Sequence, residues 1–275
     1  MTEAIHYQTR GQGPDVVLVH GLFGDLDNLK SLAQALEANF RVTRIDVPNH
    51  GQSPHWEHMD YPRLAGALVS LLDSLDIAKA HLVGHSMGGK IVLATALLFP
   101  ERVASVVAAD IAPVAYPPRH QTVFNALTSL PLDGSVDRKG ALTHMLAKGV
   151  DEGTAQFLLK SLRRVEATTG LGSDSNSETG TKVNQFAWRM NLDGLIAAYD
   201  ELIGWPIEGK RYLGDTLFIR GDESDYVTAA HKEAILAQFP AVQLKSIGGA
   251  GHWLHAQKPA IFNRLVQNFL DSSGN

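Results

Sequence analysis

Residues Ala80 to Gly89 read AHLVGHSMGG, and the rest of the chain is best understood outward from them. An apolar run of strand type, His81 to Val83, meets a Gly-x-Ser-x-Gly pentapeptide, Gly84 to Gly88, and a helix-like run from Lys90 to Phe99 follows at once. That succession describes a nucleophile elbow. The turn must be so tight that the serine is strained, and side chains at the flanking glycines would collide with neighbouring backbone. The strain aims Ser86 Oγ out of the sheet. The new helix directs its free N-terminal N–H groups, Met87 first, at the place where an oxyanion would form. A glycine-rich pentapeptide alone marks only a strand-to-helix turn, so the weight rests on its context and on partners elsewhere in the chain.

Upstream, Ile5 to Thr9 has the character of an edge strand and Val16 to His20 that of a buried one. The sequence His20-Gly21-Leu22-Phe23-Gly24 follows. A His-Gly pair closing a strand ahead of an elbow commonly supplies a second oxyanion N–H, and Leu22 is the candidate donor. His20 itself reads as a loop histidine that bonds backbone, and His50 as structural. Leu26 to Asn39 and Tyr61 to Leu75 carry helical spacing, with Arg41 to Val47 a strand between them. Alternating strands and helices predict a parallel sheet covered on both faces.

Beyond the elbow helix, Val103 to Ala109 is another buried strand, ending in Asp110. From Tyr116 onward come helical patterns, Arg119 to Leu130, Val136 to Lys148 and Glu152 to Arg164, with no core strand until Thr216. An interruption of that length predicts a helical cap over the site. Residues 1–113 and 211–275 would form the core and 114–210 the cap. Within the cap, Thr168 to Thr181 is short of bulky apolar groups and is expected to be a loop. Val242 to Ile247 is the last strand, and Pro259 to Leu270 a closing helix.

Composition narrows the function. The 275 residues are 44% hydrophobic and 19% charged, with a formal net charge of −5, so nothing suggests nucleic-acid binding and a small-molecule partner is expected. The absence of cysteine excludes disulfides and thiolate metal sites. The N-terminus, MTEAIHYQTRG, lacks a basic region followed by an apolar core, and no apolar run approaches a membrane span, so a cytoplasmic protein is expected. Neither metal nor cofactor is called for, and oligomeric state is not legible.

A serine hydroxyl needs a base within reach, and twelve histidines compete for that role. His252, on the glycine-rich loop Gly248 to His252 after the last strand, fits the chain order of serine, acid, histidine; His255 is the runner-up. The acid has several candidates. The usual turn after the penultimate strand is here Gly221-Asp222-Glu223-Ser224-Asp225, with serine in the expected acid position. Asp222 and Asp225 flank it, and each could equally serve turn chemistry. Asp110, at the carboxyl end of the strand after the elbow strand, is the first candidate. Phe23, Trp188 and Trp253 are candidate pocket walls, with core packing as the alternative.

These residues resemble a known family. The His20-Gly21 loop, the Gly84 to Gly88 elbow, the interposed cap and the late Gly251-His252 make the chain similar to an α/β-hydrolase over nearly its whole length. The phrases HGLFGDLDNL, VGHSMGGK, DIAPVAY, the turn with Ser224, Tyr226 and Val227, and GAGHWLHAQKP resemble more narrowly the small YbfF-type bacterial esterases. The resemblance implies a mostly parallel sheet of about eight strands, a catalytic aspartate at Asp110, and hydrolysis of esters or of thioesters such as acyl-CoA. An acyltransferase, a carbon–carbon bond hydrolase, a cofactor-free haloperoxidase or a non-catalytic ligand-binding protein would use the same frame.

Overall fold

The fold was analysed in a computed structural model that describes residues 4–169 and 181–273. Its first half alternates strand and helix: β1 (Tyr7–Arg10), β2 (Asp15–Val19), α1 (Lys30–Leu36), β3 (Arg41–Ile45), α2 (Tyr61–Ser74), β4 (Ala80–His85), α3 (Met87–Leu98) and β5 (Val103–Ala109). The inserted segment carries α4 (Gln121–Thr128), α5 (Arg138–Ala147), α6 (Glu152–Leu159), β6 (Leu162–Thr169), β7 (Thr181–Trp188), α7 (Leu192–Ala197) and α8 (Tyr199–Ile203). The chain then returns to β8 (Thr216–Gly221), α9 (Lys232–Gln238), β9 (Val242–Ile247), α10 (Leu254–Gln257) and α11 (Pro259–Ser272).

One sheet of seven strands, in the order β1-β3-β2-β4-β5-β8-β9, organises the molecule. All its neighbours are parallel except β1, which runs antiparallel to β3. Side chains alternate between faces along each strand. Val17, Val19, Leu82, Val106, Ala108 and Phe218 pack in one core cluster with Leu64 and Leu68 of α2 and Val92 of α3. Val16, Leu18, Val83, Val107, Leu217 and Ile219 pack in a second with Leu32 and Leu36 of α1 and Phe262 and Val266 of α11. Strands buried on both faces need apolar residues at every position, which explains their continuous runs. α3 is buried from Met87 to Leu97, as a helix apolar on nearly all sides must be, with Lys90 and Thr95 its polar exceptions.

Register brings the chemistry together. Val19 lies opposite Gly84, Gly84 opposite Ala108, and Ala109 opposite Ile219. The carboxyl ends of β2, β4 and β5 therefore lie within a residue of one another, and β8 runs on beside them to Gly221. His20, Ser86, Asp110 and the turn after Gly221 emerge along one edge, the usual place for a site in such sheets.

Two expectations differ from the structure. The main sheet has seven strands among the described residues rather than about eight. The inserted segment is not purely helical, because β6 and β7 form a two-stranded antiparallel ladder. The helix expected to reach Arg164 stops at Leu159, and Leu162 to Arg164 belong to β6. Leucine and arginine are good helix formers, but pairing with β7 overrides that local preference. The expected loop Thr168 to Thr181 lies outside the described residues from 170 to 180; its flanks end the ladder, with Thr169 opposite Thr181. No helix among the described residues is long and apolar enough to cross a membrane.

Candidate active site

The elbow has the geometry that its sequence demands. Ser86 stands at φ 54° and ψ −120°, between the end of β4 and the first turn of α3. A non-glycine residue at positive φ is held there by its surroundings at a cost of about 1–3 kcal/mol. Here Ser86 N–H donates to Ala109 O at 2.9 Å, and Lys90 N–H to Ser86 O at 3.1 Å. A side chain at Gly84 would overlap the Gly88 carbonyl, and one at Gly88 would overlap the carbonyls of Val19 and His20. The helix therefore starts hard against the ends of two strands.

Three residues from separate turns meet at that edge. Ser86 Oγ lies 2.9 Å from His252 Nε2, and His252 Nδ1 lies 2.8 Å from Asp110 Oδ2. Asp110 is fully buried at 0% exposure and also has positive φ, 52°. Its carboxylate accepts from Gly221 N–H at 3.1 Å and, on the other oxygen, from the Ser224 hydroxyl. The serine found where an acid was expected thus donates to the Asp110 carboxylate of the neighbouring turn. Asp222 instead accepts from Gly249 N–H at 2.8 Å, tying its turn to the histidine loop. Asp225 is exposed and pairs with Arg119 at 3.0 Å.

Neutral histidines hold the surrounding loops. His20 accepts from Val47 N–H at 3.0 Å through Nε2 and donates from Nδ1 to Gly21 O at 2.8 Å. His50 accepts from Phe23 N–H at 3.1 Å and donates to Pro48 O at 3.0 Å. Each ring acts as both donor and acceptor, which only the neutral form permits. Burial agrees, pushing His20 down to about 4 and His50 to about 3. Between them they fix the loop that carries Leu22 and hold Phe23 at φ 65°. Leu22, Ser86 and Met87 border one small cavity of about 40 Å³.

His85, which alternation along β4 would aim away from Ser86, nevertheless reaches the histidine loop. Its Nε2–H donates to the His252 carbonyl at 2.8 Å, and burial holds its pKa well below the usual histidine value. His255 packs its ring 4.3 Å from that of His85, and burial lowers it to about 3. His81 is fixed in its strand by Ser105 Oγ at 2.7 Å.

A larger cavity of about 410 Å³ opens over Ser86, with Phe23 and Trp253 in its wall. Trp188 is elsewhere. The ladder sets it opposite Leu162 at the base of the hairpin, and it lines a separate cavity of about 620 Å³ with Asp25, Asp27 and Arg189. The wall facing Trp253 is instead Phe157 of α6, with ring centroids 4.1 Å apart. Phe157, Arg119, His120 and Tyr226 are cavity residues that the sequence reading missed. Tyr226 alone carried a local signal, two residues beyond the anomalous Ser224.

Lys90 is a further buried group, 1% exposed, with its ammonium donating to Ile203 O at 3.0 Å and Gly204 O at 2.8 Å. Burial without a carboxylate lowers its pKa to about 7. It joins the elbow helix to the end of the inserted segment.

Comparisons with known proteins agree with this architecture. The sequence matches the alpha/beta hydrolase fold family over residues 14–259. It is 37% identical over 265 residues to the esterase YbfF of Escherichia coli (strain K12), covering 96% of both chains. It is 36% identical over 265 residues to the sn-1-specific diacylglycerol lipase ABHD11 of Mus musculus, covering 94% of this chain and 81% of that one. Among solved structures, a marine microorganism esterase superposes with a TM-score of 0.87 at 31% identity, covering 98% of this chain and 100% of the other. The protein belongs to the alpha/beta hydrolase fold family.

Proposed function

We propose that the chain is a serine hydrolase of carboxylic esters in which Ser86 is the nucleophile, His252 the base and Asp110 the acid. The observation that carries this reading is the unbroken run from Ser86 Oγ to His252 Nε2 at 2.9 Å and from His252 Nδ1 to Asp110 at 2.8 Å, at the mouth of an elbow. Ser86 Oγ attacks the ester carbonyl carbon while its proton passes to His252 Nε2. The N–H groups of Leu22 and Met87 receive the oxyanion, which is stabilised more than the ground-state carbonyl. Collapse breaks the bond to the leaving oxygen, which takes the proton from Nε2. Water then attacks the acyl-serine by the same route in reverse. Asp110 keeps the proton on Nδ1 and offsets the imidazolium charge.

Thioesters such as acyl-CoA fit the same steps with sulfur as the leaving atom. Residues 114–210 act as the cap, contributing Arg119, His120 and Phe157 to the cavity above Ser86. A cavity of about 410 Å³ suits a small acyl or alcohol group. A fluorophosphonate probe tests the assignment: one label per chain is expected, with none on Ser86→Ala and loss of p-nitrophenyl butyrate hydrolysis in that variant. Equal labelling of both proteins removes Ser86 from the mechanism.

A further inference from the structure

Tyr226 sits in an arrangement that the three proposed catalytic residues leave unexplained. Its ring lies against the imidazole of His252 with centroids 3.8 Å apart and planes 18° from parallel. The guanidinium of Arg119 lies 4.4 Å from the same ring centroid. Two planar groups that close to one centroid cannot share a face, so the tyrosine ring stands between imidazole and guanidinium. The backbone of Tyr226 is pinned as well. Its carbonyl accepts from Tyr116 OH at 2.6 Å, and its N–H donates to Ser224 Oγ at 3.3 Å.

His252 needs such a support. Within its own plane the ring is fixed by Asp110 at Nδ1 and Ser86 at Nε2, but once Ser86 is acylated its hydroxyl hydrogen is gone and the Asp110 bond alone does not resist tilting. His85 also lies near the ring, but tilted by 43° at 4.9 Å and not flat against it. Among the described residues, only Tyr226 offers a parallel face. When the ring becomes imidazolium, that face also carries the negative side of an aromatic quadrupole. The charge of Arg119 behind it is offset by Asp225 at 3.0 Å, so the cation braces the tyrosine with part of its field already neutralised.

We infer that Tyr226 is a positioning residue, its aromatic face holding the His252 imidazole in the plane of proton transfer and favouring its cationic form. One turn then delivers two supports: Ser224 beneath the carboxylate and Tyr226 against the ring. The inference rests on His252 being the base. The role belongs to the aromatic ring of Tyr226 and not to its hydroxyl, so a phenylalanine should replace it.

The test compares Tyr226→Phe, Tyr226→Leu and His252→Ala in steady-state hydrolysis of p-nitrophenyl butyrate, with circular dichroism to establish folding. Tyr226→Phe should keep kcat within about threefold, and Tyr226→Leu should lose about tenfold or more in kcat with KM nearly unchanged, as befits an aromatic–cation contact formed in the transition state. If Tyr226→Leu raises KM alone, the residue is a cavity wall and the inference falls. If Tyr226→Leu does not fold, Tyr226→Gln asks the same question with a flexible polar chain, and wild-type kcat in either folded variant overturns the role. Loss of kcat in Tyr226→Phe equal to that in the leucine variant would assign the effect to the hydroxyl instead. Retained turnover in His252→Ala would sink the base assignment itself, whereas collapse there with normal Tyr226 variants sinks only the positioning role.

Discussion

Two turns at the same edge of the sheet carry carboxylates, and only one of them reaches the histidine. The first follows β5 and holds Asp110; the second follows β8 and holds Asp222 and Asp225. The strands are neighbours, with Ala109 at the end of β5 opposite Ile219, and β8 runs on to Gly221. The first turn bends at once, with Asp110 at φ 52° and its N–H donating to Ile219 O at 2.7 Å. That bend keeps the carboxylate buried beneath His252. The second turn runs on toward solvent, where Asp225 pairs with Arg119 and Asp222 with the glycine loop. Proximity to the site does not bring a carboxylate to His252; the direction in which the backbone leaves its strand does.

The sharpest way to break this contrast is to neutralise each carboxylate without changing its shape. Asp110→Asn should fold yet lose about 10⁴ in kcat, because the imidazole is then free to take the wrong tautomer and its cation is unsupported. Asp222→Asn and Asp225→Asn should stay within about tenfold, under roughly 1.4 kcal/mol of barrier. Measured kcat for the three folded variants decides between the turns. Near-normal turnover in Asp110→Asn, with collapse in either of the others, would return the acid to the second turn.

How much of this was legible depended on how far apart in the chain the partners lie. The elbow could be read locally, because a glycine two residues to each side of Ser86 is a steric requirement visible in five letters. The position of His252 followed from its glycine-rich loop after the last strand. The acid could not be fixed from residue types, since three aspartates stand at sheet-edge turns and their aim depends on register across β4, β5 and β8. Trp188, for which core packing was the alternative reading, packs against the core away from the serine cavity; its place is set by pairing with Leu162, twenty-six positions away, and composition says nothing of that partner. Phe157 and Arg119 reach the cavity from the inserted segment, whose packing against the core leaves no periodic trace.

A smaller effect is expected at the residue that links the two turns. Ser224 donates its hydroxyl to Asp110, although it stands where the acid usually would. A hydrogen bond to a buried charged group contributes about 1.5–3 kcal/mol, so Ser224→Ala should lower kcat about tenfold while leaving KM nearly constant. Asp110 would keep Gly221 N–H and His252, which limits the loss. If Ser224→Ala were as damaging as Asp110→Asn, the hydroxyl would have to act on the substrate or on the histidine directly.

The smallest effects separate the two acids of the second turn from each other. Asp222 accepts from Gly249 N–H at 2.8 Å and so fastens the loop that ends in His252. Asp222→Ala frees that loop, and the loss should show first as lower thermal stability, on the order of 1 kcal/mol, with a kcat reduced only a few-fold. Asp225 has no such structural duty. Its side chain is 77% exposed, and its pair with Arg119 is a surface ion pair worth at most about 1 kcal/mol. Arg119 would still lie on the ring of Tyr226 without it, because the guanidinium carbon is 4.4 Å from the ring centroid whether or not Asp225 is charged. Asp225→Asn should therefore change kcat less than about threefold and melting temperature by no more than a degree or two. A tenfold fall in kcat with the fold intact would show that the field of Arg119, once released from Asp225, reaches the imidazole through the tyrosine, and the second turn would then act on the base electrostatically and not merely frame it.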